Sequence, residues 1–156
     1  MADSQPGRYA RLAARIGNRR WFRPVSLFLL PMVDRVLVPL GMRAGPWPTL
    51  LLTSTGRVSG KERKTPLFFV ETETGPAVIA TNYGRHEPDW SQNLRSDPVC
   101  TIMLARQTRP AVARAATPDE GDDLFSRFVA FYPTYVNYRE RARRDIPMWI
   151  LEYTRT

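Results

Sequence analysis

One short segment of the sequence, residues 55–64, has the composition of an anion-binding loop. Its sequence, TGRVSGKERK, combines four cations with two glycines and two hydroxyl side chains. Glycine lets backbone N–H groups approach an anion closely, while arginine supplies a bidentate fork and lysine a point charge. The spacing of the glycines matches neither the Walker loop nor the dinucleotide-binding fingerprint. The residues alone leave two interpretations equally open, a phosphate or carboxylate site and a solvated hairpin tip.

The segment of residues 80–90 joins a predicted strand to a predicted helix through a polar loop that contains one glycine. Backbone N–H groups at the start of that helix could face an anion or a polarised ring. Trp90 could stack on a planar cofactor, although a tryptophan on a helix more often belongs to the core. His86 is expected to be a surface or capping residue rather than a catalytic base.

Three tyrosines are spaced three residues apart near the end of the chain: Tyr132, Tyr135 and Tyr138. They share one helical face if a helix resumes after Pro133. Such a stripe offers flat apolar walls and hydroxyl donors to an aromatic substrate, but it also suits simple packing of a helix on a sheet. The basic run that follows, residues 139–144, is expected to be a solvated face.

The cysteine and histidine content excludes several kinds of site. Cys100 is the only cysteine and His86 the only histidine, so we expect neither an internal disulfide nor a metal site of the zinc type. The single cysteine also favours a reducing compartment, and we expect a cytoplasmic location. A catalytic triad has few candidate residues and no surrounding motif.

The charge of the chain indicates an anionic partner or surface. The formal net charge is +8, which nucleic acid, an anionic membrane or a polyanionic cofactor would each satisfy. No signature of a nucleic-acid-binding module is present, and we expect no nucleic-acid partner. Only two of the 23 basic residues are lysines, Lys61 and Lys64, and both lie within residues 55–64. That loop is therefore chemically distinct from the rest of the chain.

Residues 1–45 are predicted to form a helical extension ahead of the main domain. Residues 8–17 and 25–40 have apolar residues at helical spacing, and the second helix is expected to kink or break near Pro31. The apolar stretch is interrupted too early for a signal peptide and is short for a membrane span. A basic and apolar segment of this kind could lie in a membrane interface, but we favour packing on the domain or across a dimer.

Residues 46–156 are predicted to form one antiparallel α+β domain. Short apolar segments separated by turn signals predict strands, at residues 49–54, 65–71, 77–81, 99–104, 109–116 and 146–153. One helix is predicted from Asp89 to just before Pro98. Another follows Thr117, which caps it, with Pro118 at its first position. Strands in hairpin order with inserted helices favour a small antiparallel barrel with flanking helices.

Several separated motifs, in one collinear order, resemble the deazaflavin-dependent nitroreductase family. They are TGRVSGKERKTPL, ATNYG, EPDWSQNLRSDP, YPTYVNY and DIPMWILE, and they extend over residues 46–154. The resemblance implies a split β-barrel of the FMN-binding type and coenzyme F420, a flavin-like hydride carrier with a phosphate and an acidic tail. It raises the anion-site interpretation of the basic loop well above the solvated-tip interpretation.

The resemblance also implies roles for individual residues. Cofactor contacts are expected at two stretches and the adjoining helix, namely Thr55, Arg57, Ser59, Gly60, Lys61, Arg63, Lys64, Thr65, Ala80, Thr81, Asn82, Tyr83, Gly84, Trp90 and Asn93. Catalytic roles are expected for Thr81 and for Tyr132, Tyr135 and Tyr138, which match tyrosines that line the substrate side. Some relatives have Ser-Lys-Gly-Gly where this chain has the shorter Thr81-Asn82-Tyr83-Gly84, so Tyr83 adds bulk and Asn82 removes a charge.

These matches predict an oxidoreductase that transfers a hydride from reduced coenzyme F420 to a small electron acceptor, a quinone, an enone or a nitroaromatic. FMN is the second choice of cofactor. The alternative is a non-catalytic split-barrel protein that binds cofactor or lipid and associates with the membrane. Peripheral membrane contact through residues 1–45 and a homodimer are the partner interactions that the sequence leaves open.

Overall fold

Six antiparallel strands form a closed barrel within residues 48–154, the part of the chain that the computed structural model describes. The strands are β1 (Thr49–Thr55), β2 (Glu62–Glu71), β3 (Pro76–Ile79), β4 (Val99–Leu104), β5 (Gln107–Ala115) and β6 (Met148–Tyr153). Around the barrel their order is β1-β2-β3-β6-β5-β4, and β4 pairs with β1 to close it. The predicted antiparallel barrel is thus confirmed, whereas the predicted helices at 8–17 and 25–40 lie outside the described residues.

The barrel interior follows from the alternation of side chains along each strand. Leu50 and Leu52 of β1 point inward and are fully buried, together with Val78, Ile102 and Leu151 from other strands. Successive residues of a strand face opposite sides of the sheet, so a one-residue slip would expose this whole set. The predicted apolar strands therefore supply one continuous core.

Three helices flank the barrel within the described residues: α1 (Asp89–Ser96), α2 (Pro118–Phe131) and α3 (Tyr135–Arg141). Helix α1 contributes Trp90 and Leu94 to the interior cluster. Helix α2 packs Leu124 and Phe128 against the outer side of the barrel, and Phe128 is fully buried there. Burial of one such side chain is worth about 1.5–3 kcal/mol.

Helix α2 begins as the sequence predicts. The Thr117 hydroxyl accepts from the backbone N–H of Glu120 (3.4 Å), and the Glu120 carboxylate accepts from the backbone N–H of Thr117 (2.8 Å). This capping box satisfies two helix-end donors reciprocally. Arg114 of β5 donates to both oxygens of Glu120, at 2.7 and 2.9 Å, and to Glu152 of β6 at 3.0 Å. The start of α2 is thereby tied to two strands.

Several strand boundaries differ from the prediction by a few residues, and two of these differences concern the predicted cofactor residues. Strand β2 begins at Glu62 rather than Thr65, because it pairs with β1 as far as Thr55. The basic residues 63 and 64 therefore lie in a strand and not in a loop. Strand β3 ends at Ile79 rather than Thr81, since the carbonyls of the next two residues accept hydrogen bonds from a distant arginine instead of a neighbouring strand.

Candidate active site

The candidate site is built at one end of the barrel, where β1 and β3 end and β2 and β6 begin. Three connections meet this end: residues 56–61 between β1 and β2, residues 80–88 between β3 and α1, and residues 142–147 between α3 and β6. The predicted cofactor residues come from the first two connections and the strand ends beside them. The third connection was not predicted to take part.

The first connection, residues 56–61, is a tight turn. The N–H of Gly56 donates to the Lys61 carbonyl and the N–H of Gly60 to the Gly56 carbonyl, both at 2.8 Å. Gly60 has a φ of 64° and would place an added Cβ in open space. A left-handed residue of this kind is easiest for glycine, and the turn holds Val58 at its tip 89% exposed.

Helix α1 anchors this turn. The backbone N–H of Arg57 donates to Asn93 Oδ1, and Arg57 Nη1 contacts Asp89 Oδ1, each at 3.0 Å. Asn93 is 4% exposed and Trp90 is 7% exposed within the barrel core. Of the residues predicted to contact the cofactor, the structure thus gives Asn93 a contact that positions the turn and places Trp90 among core side chains.

Two cations of the basic segment, Arg63 and Lys64, lie in β2 and on opposite faces of it. Arg63 pairs with Ser54 and Lys64 with Thr53, so their side chains point to opposite sides of the sheet. Arg63 lies on the inward side and donates to Ser59 Oγ at 3.3 Å. Within residues 48–154, no carboxylate forms an ion pair with Lys61, Arg63 or Lys64. Their charge is therefore available to an external anion.

Lys64 shares the outer face of β2 with Phe68, which packs against Tyr132. Side chains on that face recur at every second residue, so Phe68 lies on the same side, about 13 Å along the strand. Phe68 makes an edge contact with Tyr132, with ring centroids 6.2 Å apart. Thr55 and Thr65 pair with Glu62 and Leu52 within the same β1–β2 ladder. Lys64 and the ring that contacts Tyr132 therefore lie on the same face of β2.

The tyrosines form a cluster, although not as one helical stripe. Tyr132 ends α2, while Tyr135 and Tyr138 belong to α3. Their ring centroids are 5.4 Å (132 to 135), 5.9 Å (135 to 138) and 6.5 Å (132 to 138) apart. Tyr83 adds a fourth ring, 5.5 Å from Tyr138 and nearly perpendicular to it. A helix does resume after Pro133, which was the condition of the prediction, and the three rings lie close together as predicted.

Burial makes two of these phenols harder to ionise. It raises the pKa of Tyr135, which is 5% exposed, and that of Tyr138, to which the neighbouring Tyr132 hydroxyl also contributes through a hydrogen bond. Loss of a proton would place a negative charge among aromatic rings with little water to solvate it. The cluster therefore offers neutral O–H donors. Tyr135 also packs on Phe128, so the packing interpretation of the stripe holds for that residue.

The connection after β3 contains three consecutive left-handed residues. The φ angles are 43° at Asn82, 57° at Tyr83 and 80° at Gly84. For residues other than glycine this conformation costs about 1–2 kcal/mol each. Gly84 also lies against α3, where an added Cβ would meet the Tyr138 carbonyl oxygen at 2.7 Å and Arg141 Cβ at 2.8 Å. Such strain persists only where the surroundings enforce it.

Arg144 forms hydrogen bonds to the residues on both sides of this turn. Its Nε donates to the Arg85 carbonyl at 2.8 Å, and its Nη2 donates to the carbonyls of Ala80, Thr81 and His86 at 2.9, 3.2 and 3.3 Å. We call this set of four bonds the Arg144 clamp. The expectation that residues 139–144 are simply a solvated face was wrong for Arg144. Nothing in the local sequence separates it from the other arginines of that run, since its partners are 58 to 64 residues away.

The other predicted residues of this connection lie at its base and along it. Ala80 is fully buried, and Thr81 is 8% exposed at the start of the turn. The Asn82 amide donates to the His86 carbonyl at 3.0 Å, and the His86 side chain is exposed. Thr81 is therefore placed at the junction between the barrel and the left-handed turn.

Comparison with known proteins identifies the family. A model described as F420H(2)-dependent quinone reductase matches residues 30–153. The chain belongs to this family. A putative F420H(2)-dependent quinone reductase of Mycobacterium tuberculosis strain H37Rv is 35% identical over 107 residues, which cover 68% of this chain and 90% of that protein. A second F420H(2)-dependent quinone reductase of the same strain is 26% identical over 144 residues, covering 85% and 95%.

Solved structures agree with this assignment to the F420H(2)-dependent quinone reductases. An F420-H2 dependent reductase, FDR-A, has a TM-score of 0.62 and 32% identity, covering 67% of this chain and 94% of its own. A domain-swapped dimer has a TM-score of 0.64 and 28% identity, covering 85% and 97%. The haem storage protein HutZ of Vibrio cholerae, at 19% identity and a TM-score of 0.53, shares the fold alone.

No helix within residues 48–154 has the length and apolar character needed to cross a bilayer. The predicted membrane contact concerns residues 1–45, which lie outside the described part of the chain.

Proposed function

We propose that this protein is an oxidoreductase that uses reduced coenzyme F420 to reduce a quinone. The observation that carries the proposal is the shared outer face of β2, where Lys64 of the basic end and the tyrosine cluster lie on one side of the barrel. Membership in the F420H(2)-dependent quinone reductase family supports the choice of cofactor and acceptor. Enones and nitroaromatics remain predicted acceptors.

The basic end fits the phosphate and acidic tail of the coenzyme. Lys61, Arg63 and Lys64 have no carboxylate partner among residues 48–154, and the space beside Gly60 is open. A hydrogen bond between charged groups contributes about 1.5–3 kcal/mol. Three such bonds contribute about 4.5–9 kcal/mol. A micromolar dissociation constant corresponds to about 8.2 kcal/mol, so contacts to the rest of the coenzyme supply the remainder.

The tyrosine cluster and Thr81 fit the part of the site where the ring of the coenzyme meets the acceptor. The reduced coenzyme supplies the hydride. The aromatic rings hold the acceptor flat and exclude water from it, and the phenol of Tyr138 or Tyr132 is proposed to give a proton to an acceptor oxygen. Thr81, at the junction of barrel and turn, is proposed to donate a hydrogen bond to the negative charge that develops on that oxygen.

A fluorescence titration with the deazaflavin tests the binding half of the proposal. We expect wild-type protein to bind at micromolar concentration, and Lys61→Glu together with Arg63→Glu to weaken binding by about 100-fold or more. Arg106→Glu together with Arg109→Glu is the control, since it makes the same change in net charge at two exposed positions of the β4–β5 hairpin, at the opposite end of the barrel.

Equal effects of the two double reversals would show that only net charge matters and would overturn the site. Tight binding of FMN with no binding of the deazaflavin would instead indicate a flavin enzyme of the same barrel class. Turnover is then measured with a naphthoquinone and the reduced deazaflavin. Binding without turnover of any acceptor would favour the non-catalytic alternative.

The solved domain-swapped dimer supports the prediction of a homodimer. Light scattering after size-exclusion chromatography tests it. Peripheral membrane contact through residues 1–45 remains a prediction, and liposome sedimentation of the full chain against a chain lacking those residues decides it.

A further inference from the structure

The Arg144 clamp holds a single connection by four of its carbonyls. The donors are Nε and Nη2, while Nη1 donates to the carbonyl of Asp145 at 2.9 Å. All three nitrogens of the guanidinium are therefore engaged with backbone oxygens. Lysine has one nitrogen and cannot reproduce this planar arrangement.

The turn that the clamp holds has two backbone hydrogen bonds of its own. The N–H of Gly84 donates to the Thr81 carbonyl at 2.9 Å, and the N–H of Arg85 to the Asn82 carbonyl at 3.0 Å. Two of the three left-handed residues between them are not glycines. Bonds from Arg144 on both sides of the turn oppose its relaxation toward ordinary φ angles.

The position of Tyr83 depends on this turn. Its ring is 45% exposed and meets the ring of Tyr138 at 5.5 Å with an interplanar angle of 79°. Gly84 places the backbone directly against α3 at Tyr138. A change of φ at residues 82–84 would swing the Tyr83 ring away from the cluster, because each φ rotation carries the residues that follow it.

We propose that Arg144 is a positioning residue for acceptor selectivity: by holding the left-handed turn it fixes Tyr83 as the fourth wall of the tyrosine cluster, which then admits planar acceptors and rejects bulky ones. The inference rests on the proposed function, since it names which acceptors that site accepts. Within the described residues, every hydrogen bond that Arg144 donates goes to a backbone carbonyl. It therefore acts through Tyr83.

A double-mutant cycle tests this dependence. The measured quantity is the ratio of kcat/KM for a planar naphthoquinone to that for a quinone with tert-butyl groups, at saturating reduced deazaflavin. This ratio does not depend on the fraction of folded enzyme, because both values of kcat/KM scale with it. Arg144→Met and Tyr83→Gly should each lower the ratio by about tenfold, and the double variant should lower it no further.

Three further variants complete the design. Arg144→Lys should give an intermediate ratio, because it restores one donor of the clamp. Arg143→Met, at an exposed neighbouring position, should leave the ratio within about twofold of wild type. Arg114→Met removes an arginine with four hydrogen bonds, none of them to residues 80–86. It should lower Tm and leave the ratio unchanged.

Two outcomes overturn the proposal in active enzyme. One is an unchanged ratio in Arg144→Met, and the other is a double variant whose effect is the product of the single effects. Amide hydrogen exchange at Gly84 and Arg85 measures how stable the turn is, and this measurement needs no cofactor. Faster exchange there in Arg144→Met, with β1 and β6 still protected, supports the clamp, and unchanged exchange overturns it. If wild-type protein reduces no quinone, the proposed function and the selectivity role fail together, and exchange still decides whether the clamp exists.

Discussion

Gly84→Ala is expected to destabilise the protein by about 2–4 kcal/mol. The new Cβ would lie 2.7 Å from the Tyr138 carbonyl oxygen, whereas ordinary contact begins near 3.4 Å. Since the obstacle is the backbone of α3 and not a flexible side chain, the helix must retreat by roughly 0.7 Å. Overpacking of this kind costs about 1–3 kcal/mol, and a left-handed φ of 80° adds about 1 kcal/mol for alanine.

Gly60→Ala is the matched control for that variant. Gly60 is also left-handed, with a φ of 64°, but nothing lies within 4 Å of its added Cβ. Only the conformational cost of about 1 kcal/mol applies there. The difference between the two variants therefore isolates the close approach of the turn to α3.

Urea unfolding followed by circular dichroism measures both variants, with thermal unfolding as a check. For a chain of this length each kcal/mol corresponds to about 2–4 °C in Tm. Gly84→Ala should thus melt several degrees below Gly60→Ala. Free energies of unfolding that agree within about 0.5 kcal/mol would show that α3 yields without cost. The reasoning from the 2.7 Å contact would then be refuted.

Thr117→Ala should lower the free energy of unfolding by about 1 kcal/mol relative to Thr117→Ser, which keeps the capping oxygen; equal urea midpoints for the two would contradict an active cap. The hydrogen bonds from Arg114 lower the pKa of Glu120 from 4.5 to about 2, so its stabilising contribution is present above pH 4.5 and is lost as pH falls toward 2. Glu120→Gln should therefore have a Tm that falls less with acid than that of wild type, and parallel Tm curves would rule this out. Burial raises the pKa of Tyr135 and Tyr138 above the ordinary 10, so an ultraviolet titration should detect two phenols that resist ionisation near pH 10. An ionisation midpoint near pH 10 for every tyrosine would show that neither phenol is shielded from water.

The strands were predictable because their signal is local. A short apolar run such as Leu50 to Leu52, followed by turn residues, predicts a strand whatever its partner strand is. The cap at Thr117 was predictable for the same reason, since its partner is three residues away. Motif order then gave the family, which the family model confirms over residues 30–153.

The parts that escaped prediction depend on contacts between distant residues. The start of β2 at Glu62 is set by pairing with Thr55 across the ladder. The opposite orientations of Arg63 and Lys64 follow from that register and not from their composition. The clamp of Arg144 depends on carbonyls 58 to 64 residues earlier, which no local pattern could indicate.

The clamp also limits how this barrel can be recombined with its relatives. Residues 80–88 look like an exchangeable loop, but four of their carbonyls are matched to a guanidinium contributed by residues 142–147. A chimera that transplants residues 80–88 alone would pair foreign carbonyls with the native guanidinium of Arg144. Loop grafting into this barrel should therefore move both segments together, although they lie far apart in the chain.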